Sequence, residues 1–453
     1  DVSGYWVRQP GHHYYASGRL QRDTSNSGEL NSEFLLTAKG DLTDDVNVVF
    51  NLGGNLSKRT YAAMRNFGED FKLNSAHFLA NTNVQEFTET PQQVKKVNSL
   101  YASANFAYDN WAYLDVTARN DWSSTLGADN RSYFYSSVNL ALLLEDFIDP
   151  SNTFFDLFKI RGSVANVGND TSPYQLVQTF SVPGQGYLGL TTLSAPSTRL
   201  NPNLKPENIE STEFGLELAM LDNNLTLDVA VYDITTTDLI FRVPVPAATG
   251  YSFFLENVGE VNNKGVEISL GYNIVNSGNM RWNSTIYASK NENKLLELID
   301  DLSTLVYYTS NSGNLSTQAK VGGGIGDLYG TVWKRDDSGN RMVGADGKPV
   351  ISNPDNYLGN AQPDWLAGWS NSFSFGNFSM NILIDGRFGG VVHAGDSADM
   401  DRWGVSERTL QYRDTGVVLD AVGPSGAANT VSITGQEYWG RLSDIAEPYV
   451  YSQ

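Results

Sequence analysis

The chain has 453 residues, with 51 Asp plus Glu against 31 Lys plus Arg, a formal charge of −20 at pH 7. Such acidity argues against nucleic acid as a partner, and the absence of cysteine excludes disulfides and thiolate metal sites. No run of about 18 apolar residues occurs, so a transmembrane helix is excluded. A barrel strand, greasy only at every second residue, is not.

Residues 1–30 are polar and irregular and read as loop; His12-His13 lies there with no carboxylate at ligand spacing. Glu33–Lys39 and Val46–Leu56 flank the polar turn Asp41–Asp45 and suggest a hairpin, while Ser57–Lys95 reads as a polar excursion without a period. From Val97 the alternation sharpens: Leu100, Ala102, Ala104 and Phe106 oppose Tyr101, Ser103 and Asn105. After Asp109-Asn110, Leu114, Val116 and Ala118 oppose Asp115, Thr117 and Arg119. Ser132–Leu144 and Leu157–Val167 form the next pair, followed by a Pro-containing loop from Asn169 to Pro206.

The clearest alternation lies between Asn201 and Ile274. Phe214, Leu216, Leu218 and Met220 alternate with Glu213, Gly215, Glu217 and Ala219, and Leu225, Leu227, Val229 and Val231 alternate with Thr226, Asp228, Ala230 and Tyr232. A third run, Val266 to Tyr272, alternates with Glu267, Ser269, Gly271 and Asn273. Period two over this length means strands with one apolar and one polar face. The runs reach the roughly 9–11 residues that a tilted strand needs to cross a bilayer.

The Asn276–Asn279 turn leads to a strand through Trp282, Ile286 and Ala288; Asn291–Pro363 is a long insertion with a short helix expected at Lys294–Leu302. Trp365–Phe375 and Phe378–Phe388 make the last pair, and Gly389–Gln453 reads mostly as loop. The total is about twelve strands in six pairs, each pair with a tight turn at one end and a long loop at the other, which is the membrane-barrel signature. Aromatic residues beside the short turns (Phe106, Tyr108, Trp111, Trp282, Phe375 and Phe378) fit an interfacial girdle.

Five strings, in order, resemble the barrel of SusC/RagA-type TonB-dependent outer-membrane transporters of Bacteroidetes: ARNDWSSTLGADNRSYFYSSVNLAL (Ala118–Leu142), LFKIRGSVANVGND (Leu157–Asp170), NPNLKPENIESTEFGLEL (Asn201–Leu218), ENVGEVNNKGVEISL (Glu256–Leu270) and DNYLGNAQPDWLAGWSNSF (Asp355–Phe373). The resemblance implies an all-β fold, a transmembrane antiparallel β-barrel of about 22 strands. Residues 1–453 would be part of that barrel domain with its long extracellular loops, with the plug domain, the TonB box and the final strands absent from this chain. It also implies TonB-energised import of oligosaccharides or peptides, a SusD-like surface lipoprotein as lid, and contact with membrane lipid. A soluble all-β carbohydrate-binding module or adhesin, and a β-rich glycoside hydrolase using Glu213 and Glu217, are the alternatives.

Lumen-facing polar positions are expected at Asp115, Arg119, Arg161, Glu213, Glu217, Asp228, Glu267 and Arg281, since a charge facing mid-bilayer lipid costs roughly 2–4 kcal/mol for Arg or Lys. The loop aromatics Tyr187, Tyr251, Phe253, Phe254, Tyr307 and Tyr308 are the candidate substrate contacts. No cofactor or catalytic triad is expected. Asp396, Asp399 and Asp401 are the candidates for a surface Ca²⁺, with a solvated acidic loop as the alternative reading.

Overall fold

A computed structural model describes residues 2–8, 17–149, 151, 154–182, 188, 190–299 and 302–452. His12-His13 and the candidate contact Tyr187 lie outside the described residues. Thirteen strands hydrogen-bond in chain order: β1 (Val2–Arg8), β2 (Arg19–Thr43), β3 (Val46–Phe71), β4 (Thr82–Tyr108), β5 (Ala112–Ser123), β6 (Ser132–Leu143), β7 (Phe155–Asn169), β8 (Glu207–Met220), β9 (Leu225–Thr237), β10 (Glu260–Ser277), β11 (Met280–Glu297), β12 (Trp365–Phe375) and β13 (Phe378–Phe388). The pairings from β1–β2 through β4–β5 and from β9–β10 through β12–β13 are antiparallel.

The expected hairpins are present, but three segments before Gly389 differ from the expectation. Within residues 1–30, 2–8 and 19–30 are strand rather than loop, because β1 and the first half of β2 occupy them. Ser57–Lys95 is not an excursion either: β3 runs to Phe71 and β4 starts at Thr82. At roughly 3.3 Å per residue these strands extend far beyond a hydrocarbon core of about 30 Å. Lys58 pairs with Lys96 in register, and from there outward charges occur on both faces, so the alternation that marks a membrane strand is lost. Finally, Lys294–Leu302 opens as strand rather than helix, because β11 continues to Glu297 and Leu295, paired with Val261, is almost fully buried.

The chain divides into two compact units. The first comprises Asp1–Leu140, Ala165–Ile209 and Asp238–Asn257. Its membrane face carries Phe34, Phe50, Leu52, Leu56, Leu100, Val116, Phe134, Val138 and Leu140, all exposed. A water-facing sheet with this many bare apolar side chains would aggregate; hydrocarbon is the solvent that suits it. Above the strands, Leu126, Leu204 and Leu255 bury one another with Leu176, Leu200 and Ile240 packed around them. The loop after β9 is itself partly strand: Ile240–Pro244 pairs with Phe253–Asn257, which pairs in parallel with Thr198–Arg199.

The second unit comprises Ala141–Val164, Glu210–Thr237 and Val258–Gln453. Its exposed apolar face includes Phe214, Val231, Leu270, Ile286, Trp369, Ile382 and Ile384. Two polar groups on that face are satisfied by indoles: Trp282 donates to Asn371 at 3.1 Å and Trp369 to Ser284 at 2.8 Å. Hydrocarbon offers no replacement partner for either. The segment from Gly389 onward is not mostly loop. It holds α1 (Gly395–Arg402) and α2 (Gly435–Leu442) and packs Trp333, Val343, Leu419, Ala421, Ile433, Trp439, Leu442 and Ile445 into a dry core. Asp401 is completely buried and accepts hydrogen bonds from Arg408, from Ser406 at 2.5 Å and from Tyr449 at 2.7 Å.

Candidate functional site

In the first unit the polar faces of β2 to β6 form a concavity of about 560 Å³, lined by Glu29, Glu33, Arg59, Lys95, Ser99, Arg119, Asp121, Tyr133 and Asp170 with neighbouring Asn and Ser side chains. Register assembles it: Glu33 lies opposite Asn55, Asn55 opposite Ser99, and Ser99 opposite Asp121. Arg119 donates through Nε to Asp121 at 2.8 Å and through Nη2 to Ser99 at 2.8 Å, while the Tyr135 hydroxyl donates to the other Asp121 oxygen at 2.8 Å. Tyr133 and Tyr135 stack with centroids 6.1 Å apart. Asp170 accepts from Lys95 and Ser123, and from Thr125 at 3.2 Å. Arg59 pairs with Glu29 at 3.2 Å, and Tyr101 donates to Glu33. Tyr101 lies flat over the neighbouring strand at Gly53, where any Cβ would occupy the ring's place.

The second unit carries a ladder of ion pairs on its polar face. Arg161 forks onto Asp228 at 3.0 and 3.3 Å and reaches Glu213 at 3.6 Å; Lys159 meets Glu217 at 3.0 Å. Gly215 makes room for this, since a Cβ there would sit 2.5 Å from Arg161 Cζ. Charge-assisted, bidentate bonds of this kind fix side chains in direction as well as place.

Of the sequence candidates, Arg119 belongs to the concavity, and Arg161, Glu213, Glu217 and Asp228 form the ladder. Asp115 accepts from Asn105 lower on the same face as Arg119. Glu267 lies opposite Ala230 and Ser289, and Arg281 opposite Asn276 and Ser374, so both sit on polar-face positions away from these clusters. Tyr251 meets Phe254 edge-on at 6.0 Å, Phe254 carries Arg199 at 4.3 Å, and Phe253 is exposed. Tyr307 and Tyr308 are exposed on the strand Thr304–Thr309. Sequence reasoning missed Lys95, Asp121, Tyr133, Tyr135 and Asp170. Alternation in β4 and β5 could have yielded Lys95 and Asp121, the former only had β4 been traced past Val97.

The chemistry available is recognition by hydrogen bonds and stacking. Glu213 and Glu217 are each held by a cation, unlike a carboxylate pair flanking a scissile bond. Among the described residues no group of three or more His, Cys, Asp or Glu can hold a metal ion. Asp401 is buried against Arg408 rather than part of a solvated acidic loop.

Residues 2–440 match the family described as TonB dependent receptor-like, beta-barrel. The chain belongs to this family. TonB-dependent receptor P3 of Formosa agariphila is 30% identical over 326 residues, which is 65% of this chain and 32% of that protein. TonB-dependent receptor SusC of Bacteroides thetaiotaomicron is 24% identical over 402 residues, 81% of this chain and 40% of that protein. The match thus spans 32% to 40% of the length of these curated relatives. Among solved structures, the RagAB peptide transporter superposes with a TM-score of 0.72 at 20% identity over 96% of this chain and 49% of that one, a likeness of fold. As a TonB-dependent receptor barrel of SusC/RagA type, the protein is integral to the outer membrane. The exposed apolar faces are its lipid contacts, and the concavity and the ladder line its polar side.

Proposed function

We propose that the full-length protein imports oligosaccharides or peptides across the outer membrane, energised through TonB and working with a SusD-like surface lipoprotein. The observation that carries this reading is the division of the strands into a bare apolar face and a polar face with a concavity of about 560 Å³ lined by paired charges and by Tyr133, which stacks on Tyr135 behind it. A concave surface with fixed polar groups and an aromatic ring suits ligand recognition. The RagAB peptide transporter, whose fold this chain shares, supports the peptide class, and the oligosaccharide class rests on the resemblance to SusC/RagA-type transporters.

The test is deletion of the full-length gene, followed by growth and labelled uptake on defined glycans and oligopeptides, with and without TonB. Loss of uptake for one cargo class, restored by the intact gene and abolished by TonB depletion, is the expected result. Unchanged uptake of every glycan and peptide tested would overturn the proposal.

A further inference from the structure

A second recess lies in the loop module of the second unit, away from the strand faces. It measures about 680 Å³ and is lined by Trp333, Arg335, Arg341, Tyr412, Asp420 and Tyr438 among others. The hairpin through the Asp336–Asn340 turn places Arg335 and Arg341 directly opposite one another. Two like charges facing across a strand pair are destabilising by themselves. Among the described residues neither guanidinium forms an ion pair: Arg335 donates to the Gly339 carbonyl at 2.8 Å, and Arg341 lies over the Trp333 ring at 4.7 Å. Asp420, the carboxylate that lines the recess, is paired with neither. Arg341 is therefore held in place by an indole while its donors remain open, an arrangement that favours an oxyanion bound through two oxygens.

The aromatic wall is equally specific. Tyr412 and Tyr438 meet edge-on at 5.6 Å, and Tyr438 meets Trp439 at 4.9 Å, fixing the rings against the module's core. Tyr412 has φ of +68°, a conformation that a bulky residue adopts only when its surroundings impose it and that concentrates at ligand-contacting positions.

We infer that this recess is a binding subsite for an anionic saccharide, its carboxylate or sulfate taken by Arg341 and Arg335 and a sugar face resting on Tyr412 and Tyr438. The inference rests on the import reading and narrows its cargo to acidic glycans. A neutral sugar would leave the two guanidinium groups facing each other, and an acidic peptide would use the arginines but not the flat ring surface.

Calorimetric titration of the full-length protein in detergent tests this, with tetragalacturonate and a sulfated galactan tetrasaccharide as probes, each beside its carboxyl-reduced or desulfated counterpart. At least one acidic probe should bind tenfold or more tightly than its neutral counterpart. Arg341→Gln should weaken that binding about tenfold and leave the neutral probe unchanged, while Arg341→Lys should recover part of the loss. Both arginines are exposed, so an unchanged unfolding midpoint serves as the folding control. Equal binding of acidic and neutral probes, no effect of Arg341→Gln, or tighter binding of tetra-aspartate than of either saccharide would overturn the assignment. Import that persists without binding here overturns this inference alone; binding here in a protein whose deletion leaves uptake unchanged overturns the import reading alone.

Discussion

At the scale of single residues, Asp401, near the end of α1, shows how the module beyond the strands is held together. Burial opposes its charge, and the hydrogen bonds from Arg408, Ser406 and Tyr449 overcome that opposition, so its carboxyl titrates below the ordinary aspartate range. A lowered folded-state value contributes stability that is fully present above the unfolded value, near 3.9, and is lost as pH falls through the folded one. The module should therefore resist limited proteolysis at pH 5 and loosen below about pH 3.9. Asp401→Asn should cost about 3 kcal/mol at neutral pH, less where the half-exposed Arg408 regains water, and should blunt that acid transition. Proteolysis of the variant across the same pH range is the measurement.

At the scale of elements, the two faces of a strand obey different solvents. Leu52 lies on the lipid side and Asn51 on the polar side of β3, where Asn51 donates to Ser103 at 3.2 Å. Leu52→Arg should cost roughly 2–4 kcal/mol if it lies near mid-bilayer and deplete the heat-modifiable band on a gel, whereas Asn51→Arg should leave that band in place. Helix α2 depends instead on its cap. Thr434 accepts from the Glu437 N–H at 3.2 Å and Glu437 accepts from the Thr434 N–H at 3.0 Å, a reciprocal capping box. Thr434→Ala should destabilise the module by about 1 kcal/mol, read as earlier proteolysis between α1 and α2. The lower halves of β2 to β4 were legible because lipid demands alternation. Their upper halves were not, since beyond Lys58 and Lys96 both faces are wet and nothing forces a period.

At the scale of the molecule, five connections are tight turns, at 44–45, 109–111, 221–224, 278–279 and 376–377, while the opposite ends open into 72–81, 124–131, 170–206, 238–259 and 298–364; the connection 144–154, on the tight-turn side, is longer and carries the short helix Glu145–Ile148. Short connections face the periplasm and long ones the exterior in such barrels. A protease site inserted at Gly250, whose φ of +81° and open surroundings mark a surface turn, should be cut in intact cells. Full protection there, with cleavage after lysis, would invert the orientation.

By itself the sequence determined the strands that cross lipid, their polar and apolar faces, and the ladder residues Arg161, Glu213, Glu217 and Asp228, because a bilayer imposes period two and the backbone must follow it. Only the tertiary structure decided what Lys95, Asp121 and Asp170 do together, and it alone brought Arg335, Arg341, Tyr412 and Tyr438 around one recess. Arg335, Arg341, Tyr412 and Tyr438 come from segments far apart in the chain, where burial is scattered without period. Their chemistry depends on register and on a core assembled across more than a hundred residues, which no local pattern encodes.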